Sequence, residues 1–351
     1  MQLLLGNAER KKVMFDCGKA MNKHMVLLGK SGCGKSTKVR GLMLDIVRQG
    51  GTVIALDFHH VLAEDQIFEK TRDEFSGYIY DIDVYNDGIP CNLFSPMQYA
   101  DGTYEKQIDV IGALTDVFVA KLNLGSNQRA ALLNAMEIMS DLNLYRRKGI
   151  SALSKILTLS KLKGTNETNE KMHMIFYHNI FRYGRWPVRN GKINIFRLSK
   201  FDRETQEVVA EVILSYIWRQ AMVTGCVSDG IFLVVDECQN LSSGKKSILG
   251  DILCEGRKFG VNLILATQQL LQGSPSVVQQ RMAQCGLCLY FQPDAASLRQ
   301  IAKRIDPNAV KDWMPVLNSL KCGEFVAAGA LSVGGYPIDQ PLRVTSYIET
   351  R

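Results

Sequence analysis

Short, nearly continuous apolar runs, typical of strands buried on both faces, recur in the two outer parts of the chain. They are HMVLLG (24–29), TVIALD (52–57), YIYDIDV (78–84), KINIFRL (192–198), IFLVVDE (231–237), NLILATQ (262–268) and LCLYF (287–291). A helical pattern follows the first run and ends at Gln49-Gly50-Gly51, and a longer one covers 204–222. Alternating strands and helices predict an α/β fold with a mainly parallel sheet.

The middle of the chain has a different pattern. From about 103 to 183 the apolar positions follow helical periodicity, as in IDVIGALTDVFVAKL and AALLNAMEIMSDL, and β-rich runs are absent. We therefore expect an inserted all-helical subdomain at 101–185. The first part of the core is expected at 1–100 and its second part at 186–351.

Composition places the chain among folded globular proteins, since 46% of its 351 residues are hydrophobic and 22% are charged. No apolar run approaches the roughly 18–20 residues that cross a bilayer, so we expect no integral membrane segment and a cytoplasmic protein. Nine cysteines without a repeated spacing indicate reduced thiols. The net charge of +7 permits a polyanionic partner without requiring one.

A glycine-rich loop lies between the first apolar run and the helix after it. Gly29–Ser36 match G-x-x-x-x-G-K-S/T, whose backbone N–H groups wrap phosphate at the start of a helix. Lys35 is expected to reach the β- and γ-phosphates and Ser36 to ligate Mg²⁺. The predicted phosphate-binding residues are Gly29, Lys30, Ser31, Gly32, Cys33, Gly34, Lys35, Ser36 and Thr37. A glycine-rich turn with a chance lysine is the alternative.

Two acids end the run IFLVVDE. Asp236 is expected to hold Mg²⁺ through water and Glu237 to polarise the attacking water. The alternative is that these acids only make a strand end soluble. Gln268 ends the run NLILATQ and is predicted to be a sensor of the γ-phosphate or the attacking water. Its alternative role is as a polar partner for the strand end.

Five segments together resemble the HerA/FtsK superfamily: GKSGCGKST, LVVDECQN, EGRKFGVNLILATQQ, QCGLCLYFQPD and KCGEFVAAG. The resemblance runs from Leu5 to about Arg343 and implies a RecA-like P-loop NTPase core that hydrolyses ATP. It further implies a hexameric ring with ATP between subunits, and DNA or a polypeptide threaded through the pore. In contrast to other members of the superfamily, we expect neither an N-terminal β-barrel before the glycine loop nor membrane helices.

Arg257, in EGRKFG before the run NLILATQ, is expected to reach the γ-phosphate held by the adjacent subunit of such a ring. The alternative is a surface arginine that pairs with Glu255 or is solvated.

Two basic segments are candidates for contact with DNA. The loop SSGKK (242–246) follows the catalytic acids, and a cationic face extends over 145–163 on the helical insertion. The position of the loop favours it, because a loop after the catalytic strand can move with the hydrolysis state, whereas a charged helix face is usually only solvated. Asp57, His59 and His60 lie at a strand end near the nucleotide. Two histidines without a third ligand make a poor metal site, so we assign these residues structural or interface roles.

Three functions agree with these observations. The first is an ATP-driven ring motor that translocates or remodels DNA. The second is a secretion or conjugation ATPase that acts on protein cargo, and the third is an ATP-dependent assembly scaffold for a partner nuclease or effector. DNA-stimulated turnover would distinguish the first from the others.

Overall fold

A computed structural model describes residues 1–62, 69–225, 230–241, 247–268 and 277–346. The chain divides into two compact units. The first comprises Met1–Tyr80, Arg189–Ile195 and Ser228–Arg351, and the second comprises Asp81–Val188 and Phe196–Val227. The helical insertion expected at 101–185 falls within the second unit, which also includes residues on both sides of it. The boundaries given above therefore stay a prediction.

Thirteen strands of the described ranges form one mixed sheet. The strands of the chain are β1 Gln2–Ala8, β2 Lys11–Asp16, β3 Met25–Leu28, β4 Thr52–Asp57, β5 Ile79–Asp83, β6 Ile89–Pro90, β7 Phe181–Arg182, β8 Ile193–Arg197, β9 Ile231–Val235, β10 Val261–Thr267, β11 Leu287–Phe291, β12 Glu324–Gly329, β13 Leu331–Val333, β14 Tyr336–Ile338 and β15 Leu342–Thr345. The sheet order is β14-β13-β2-β1-β15-β12-β11-β3-β10-β9-β4-β8-β5, while β6 and β7 pair separately.

The centre of the sheet confirms the predicted α/β fold. Neighbouring strands in the series β11, β3, β10, β9 and β4 are parallel. Almost every residue of these strands is buried, because helices cover both faces of such a sheet and leave no polar side. The continuous apolar runs of the sequence are the signature of this central part.

An antiparallel flank extends the sheet beyond β11, and the sequence analysis did not anticipate it. Within it, β1 and β2 form a hairpin in which Ala8 pairs with Lys11. Glu9 and Arg10 form the two-residue turn with φ values of 47° and 67°, as a type I′ turn requires. The register of this hairpin shifts between Leu4 and Gly6, so Leu5 lies in a β-bulge.

Helices of the first unit are α1 Lys35–Arg48, α2 Glu69–Tyr78, α11 Ile248–Glu255, α12 Val277–Met282, α13 Leu298–Ile305 and α14 Val310–Asn318. Helices of the second are α3 Val84–Asp87, α4 Gln107–Lys121, α5 Ser126–Asp141, α6 Leu144–Lys148, α7 Ala152–Leu159, α8 Thr165–Lys171, α9 His173–Tyr177 and α10 Arg203–Thr224. Asp202 caps α10 by accepting from Thr205 N at 3.0 Å. None of the helices described is long and apolar enough to cross a membrane.

Helix α1 holds the bulged strand β1 through two buried or part-buried side chains. The Lys38 ammonium donates to the carbonyls of Leu4 at 2.6 Å and Leu5 at 2.8 Å, and the Asp45 carboxylate accepts from Leu4 N at 2.9 Å. Burial lowers the pKa of Lys38 to about 8, against the opposing charge of Asp45. Lys38 thus satisfies two main-chain carbonyls at the bulged part of β1.

Replacing Lys38 by Met should therefore destabilise the first unit. The aliphatic stem still fits, but two part-buried carbonyls lose their donor, at a cost of about 2–4 kcal/mol in the free energy of unfolding. Chemical denaturation measures this loss. The matched control is Lys12→Met on the exposed part of β2, which should change stability by less than about 0.5 kcal/mol. Equal stability of the two variants would contradict the proposed role of Lys38.

Candidate nucleotide site

The glycine-rich loop connects β3 to α1 and is held by two neighbouring strands. Gly29 N donates to Thr267 O at 3.3 Å, and Lys30 N donates to Gln292 O at 2.9 Å. Gly34 precedes α1 with a φ of 101°, a conformation that a side chain would strain. The loop therefore begins a helix whose first N–H groups are directed toward any bound anion.

A second turn, at Cys322 and Gly323, supports the loop from the side. Gly323 N donates to Cys33 O at 3.0 Å, and the Cys322 thiol donates to Gly32 O at 3.2 Å. A Cβ atom added at Gly34 would lie 3.2 Å from Gly323 N, so the two backbones are close. The buried Cys33 thiol donates to Lys30 O at 2.9 Å, and burial raises the pKa of Cys33. The motif places Cys33 in the loop but contains no signal for this supporting turn.

The Lys35 side chain hydrogen-bonds to the glycine-rich loop that precedes it. Its buried ammonium donates to Gly29 O at 2.8 Å and to Lys30 O at 2.9 Å. Both acceptors are carbonyls of the loop, so the positive charge is held at the centre of the predicted phosphate site. A bound phosphate is a stronger acceptor than a neutral carbonyl.

Asp236, the residue after β9, meets the start of α1. The Ser36 hydroxyl donates to Asp236 Oδ2 at 3.3 Å. Asp236 is 5% exposed, and its burial, together with the charge of Glu237, raises its pKa, while Ser36 and Lys35 act in the opposite direction. A hydroxyl and a carboxylate fit Mg²⁺, which prefers hard oxygen ligands. The described residues hold no cluster of three His, Cys, Asp or Glu for a metal, so phosphate and water would complete the shell.

Glu237 is held by two amide side chains. Gln268 donates to its Oε1 and Gln239 donates to its Oε2, and Thr267 Oγ1 donates in turn to Gln239 Oε1 at 2.7 Å. Glu237 itself has a φ of 57°, which is uncommon for a residue with a side chain. The structure thus brings Gln268 to Glu237. It also adds Gln239, which the motif LVVDECQN contains but which the sequence analysis did not single out.

These groups surround one cavity of about 580 Å³ in the first unit, within the usual range for small-ligand sites. Its lining comprises Ser31, Gly32, Gly34, Lys35, Ser36, Thr37, His59, Val61, Asp236, Glu237, Gln268, Cys322, Gly323 and Ser346. Lys30 lies in the loop with an exposed side chain. Four members were not predicted as site residues, namely Val61, Cys322, Gly323 and Ser346, and His59 was assigned a structural or interface role.

Arg257 lies away from the cavity of its own chain. It is exposed in the short turn Gly256–Phe259, just before β10, and donates to Met21 O. Gln268 follows the other end of β10, and seven strand residues extend roughly 20 Å. Lys258, rather than Arg257, pairs with Glu255, at 3.5 Å. The predicted action of Arg257 therefore requires a neighbouring subunit.

The two basic segments have different positions. The loop at 242–246 lies outside the described residues. On the expected cationic face, Arg146 stacks over the Tyr183 ring at 5.5 Å, while Lys161 and Lys163 line a separate cleft of the second unit.

A phosphate-binding loop after the central parallel strand β3, a serine-aspartate pair at the helix start and a glutamate after β9, two strands away, define a P-loop NTPase core. The chain belongs to the family of the HerA helicase central domain, whose model matches residues 3–217. The sequence resemblance to the HerA/FtsK superfamily is thereby confirmed.

Relatives and solved structures agree with this family. The chain is 22% identical to a probable helicase of Methanocaldococcus jannaschii over 340 residues, and 20% identical to the DNA double-strand break repair helicase HerA of Sulfolobus acidocaldarius over 341. The matches cover 92% and 88% of this chain and 63% of each relative. The chain thus spans less than two thirds of the length of these relatives.

Two solved structures share the fold. VirB4 of Thermoanaerobacter pseudethanolicus superposes with a TM-score of 0.70 at 17% identity, covering 99% of this chain and 96% of that one. The bacterial conjugative coupling protein TrwB superposes with a TM-score of 0.61 at 11% identity, covering 93% and 85%.

Lys35→Ala should weaken nucleotide binding by roughly 100-fold or more, because a buried cation that hydrogen-bonds charged phosphate is lost. Titration with a fluorescent ATP analogue measures this effect. The exposed Lys19, which lies outside the cavity lining, gives the control Lys19→Ala, for which we expect unchanged affinity. Near-normal binding by Lys35→Ala would disprove the assignment of the phosphate site.

Proposed function

We propose that the chain is a Mg²⁺-dependent ATPase that works as a ring-forming motor on DNA. The observation that carries the catalytic part is the convergence of Lys35, the Ser36–Asp236 pair and the amide-held Glu237 on one cavity. Bound Mg²⁺ would supply positive charge at the β- and γ-phosphates. The fold neighbour TrwB, which was solved with ADP and Mg²⁺ and with an ATP analogue, supports this assignment.

In this proposal Glu237 is the general base. Gln239 and Gln268 each occupy one lone pair of its carboxylate, which fixes the orientation of the group. Each carboxylate oxygen has a second lone pair, so Glu237 can still accept a proton from the attacking water. Gln268, at the end of the strand next to β9, would report on the γ-phosphate through its contact with the base.

DNA is the proposed substrate of the motor. Support comes from relatives whose names include DNA double-strand break repair helicase HerA, and the net charge of +7 is compatible with a polyanion. We propose that the chain forms a homo-oligomeric ring, expected to be a hexamer. The position of Arg257 supports a ring, because this residue precedes the amino end of β10 and lies away from its own cavity.

The test of this function is the ATPase rate with and without double- or single-stranded DNA, measured beside the oligomer mass. We expect severalfold stimulation by DNA that declines as salt is raised, because phosphate contacts release counterions. The Glu237→Gln protein, lacking the base, should bind ATP and DNA but show no turnover in either condition. Turnover that DNA leaves unchanged at low salt would disprove the DNA-motor function and favour a protein cargo or a scaffold.

The proposed action of Arg257 on the nucleotide of a neighbouring subunit leads to a second prediction. Arg257→Ala should lower turnover by roughly 10³–10⁵-fold, the scale of an arginine that stabilises a transferring phosphoryl group, with little change in ATP binding. Lys258→Ala, an exposed neighbour paired with Glu255, is the matched control and should keep normal turnover.

Mixing two inactive variants distinguishes action of Arg257 on a neighbouring subunit from action within its own subunit. Arg257→Ala and Glu237→Gln proteins are each expected to be inactive, but a mixed ring contains interfaces where an intact Glu237 site meets an intact Arg257. Recovered hydrolysis on mixing is the expected result. Mixed rings that form, as shown by mass measurement, yet remain inactive would contradict it.

A further inference from the structure

The segment from Asp57 to Leu62 connects the end of β4 to the nucleotide cavity. Leu56 pairs with Val235, so the next residues, Asp57 and Asp236, emerge side by side from parallel strands. The order β3, β10, β9, β4 then places the Asp57 segment on the side of the acids that is remote from the glycine loop. His59 and Val61 of this segment line the cavity.

Two charged side chains fix the shape of this segment. The Asp57 carboxylate, fully buried, accepts from Val61 N at 3.1 Å and Leu62 N at 3.3 Å. Arg40 of α1 donates to Val61 O at 2.7 Å and to Thr37 Oγ1 at 3.3 Å, and it is attracted by both Asp57 and Asp236. The segment is therefore tied to the helix that begins at the phosphate site.

The backbone of the segment is also strained. His60 has a φ of 59°, a left-handed conformation that is unfavourable for a residue with a Cβ atom. Phe58 is 2% exposed, whereas the next residue, His59, is exposed at the cavity. Such strain persists only where surrounding contacts enforce it, and the residue before His60, His59, lines the cavity.

We infer that His59 donates a hydrogen bond to the terminal phosphate of ATP and so distinguishes ATP from ADP. The inference rests on the proposed function. The loop with Lys35 anchors one end of the phosphate chain, and Glu237 requires the γ-phosphate beside its water, so the chain points toward the acids. His59 lines the same cavity as the acids from the strand beyond them, and the γ-phosphate, which ADP lacks, is the part of ATP that extends in that direction.

Binding measurements can separate this contact from a general effect on the cavity. ADPNP is a non-hydrolysable analogue of ATP. Because a hydrogen bond to a charged phosphate is lost, His59→Ala should lower the affinity for Mg²⁺-bound ADPNP by about 10–100-fold. Affinity for ADP should change by less than about threefold, since ADP lacks the contacted group. His59→Asn retains a donor and should recover part of the discrimination.

The control is His173→Ala, an exposed histidine on α9 outside the cavity lining, which should leave both affinities unchanged. Thermal unfolding of each variant verifies the fold. Equal loss of ADPNP and ADP affinity in His59→Ala, or no loss of either, would overturn the inference. Failure of the unmodified protein to bind either nucleotide would instead overturn the proposed function, so the two failures are distinguishable.

Discussion

The parallel register of β3, β10, β9 and β4 is the constraint on which the nucleotide site depends. Leu28 pairs with Thr267, and Leu265 with Val235, so the carboxyl ends of these strands lie within about two residues of one another on the same side of the sheet. Residues about 200 positions apart, such as Ser36 and Asp236, meet there at 3.3 Å. A slip of one residue would turn the alternating side chains to the opposite faces and separate this pair.

Burial of like charges is the electrostatic consequence of this register. Asp236 and Glu237 are adjacent acids, and both burial and mutual repulsion raise the pKa of Asp236. Nearby groups offset this repulsion: the Ser36 hydroxyl and Lys35 act on Asp236, and two amides hold Glu237. A divalent cation would reduce the repulsion between these two acids, which is the electrostatic reason for proposing Mg²⁺ at this site.

The sequence was sufficient for the central strands and for the residues of the glycine loop, because continuous apolar runs and the G-x-x-x-x-G-K-S pattern are local signals. The antiparallel flank was missed, since β1 and β2 alternate between buried and partly exposed residues instead of forming continuous apolar runs, and their pairing with distant β13 and β15 has no local signature. His59 was undervalued for a related reason. It belongs to a segment that Arg40 of α1 ties to the helix at the phosphate site, and a motif does not encode such a contact between separate elements.

The charge around the cavity gives a reason for hydrolysis to depend on assembly. Among the described residues that line it, Lys35 is the single lysine or arginine, and its ammonium lies at the loop rather than beside Glu237. Charge that develops on the transferred phosphoryl group therefore meets no arginine among the described residues that line the cavity. Under the proposed function this deficit is useful, because one chain alone would hydrolyse ATP slowly, and turnover would be coupled to the contact that brings a neighbour's guanidinium to the site.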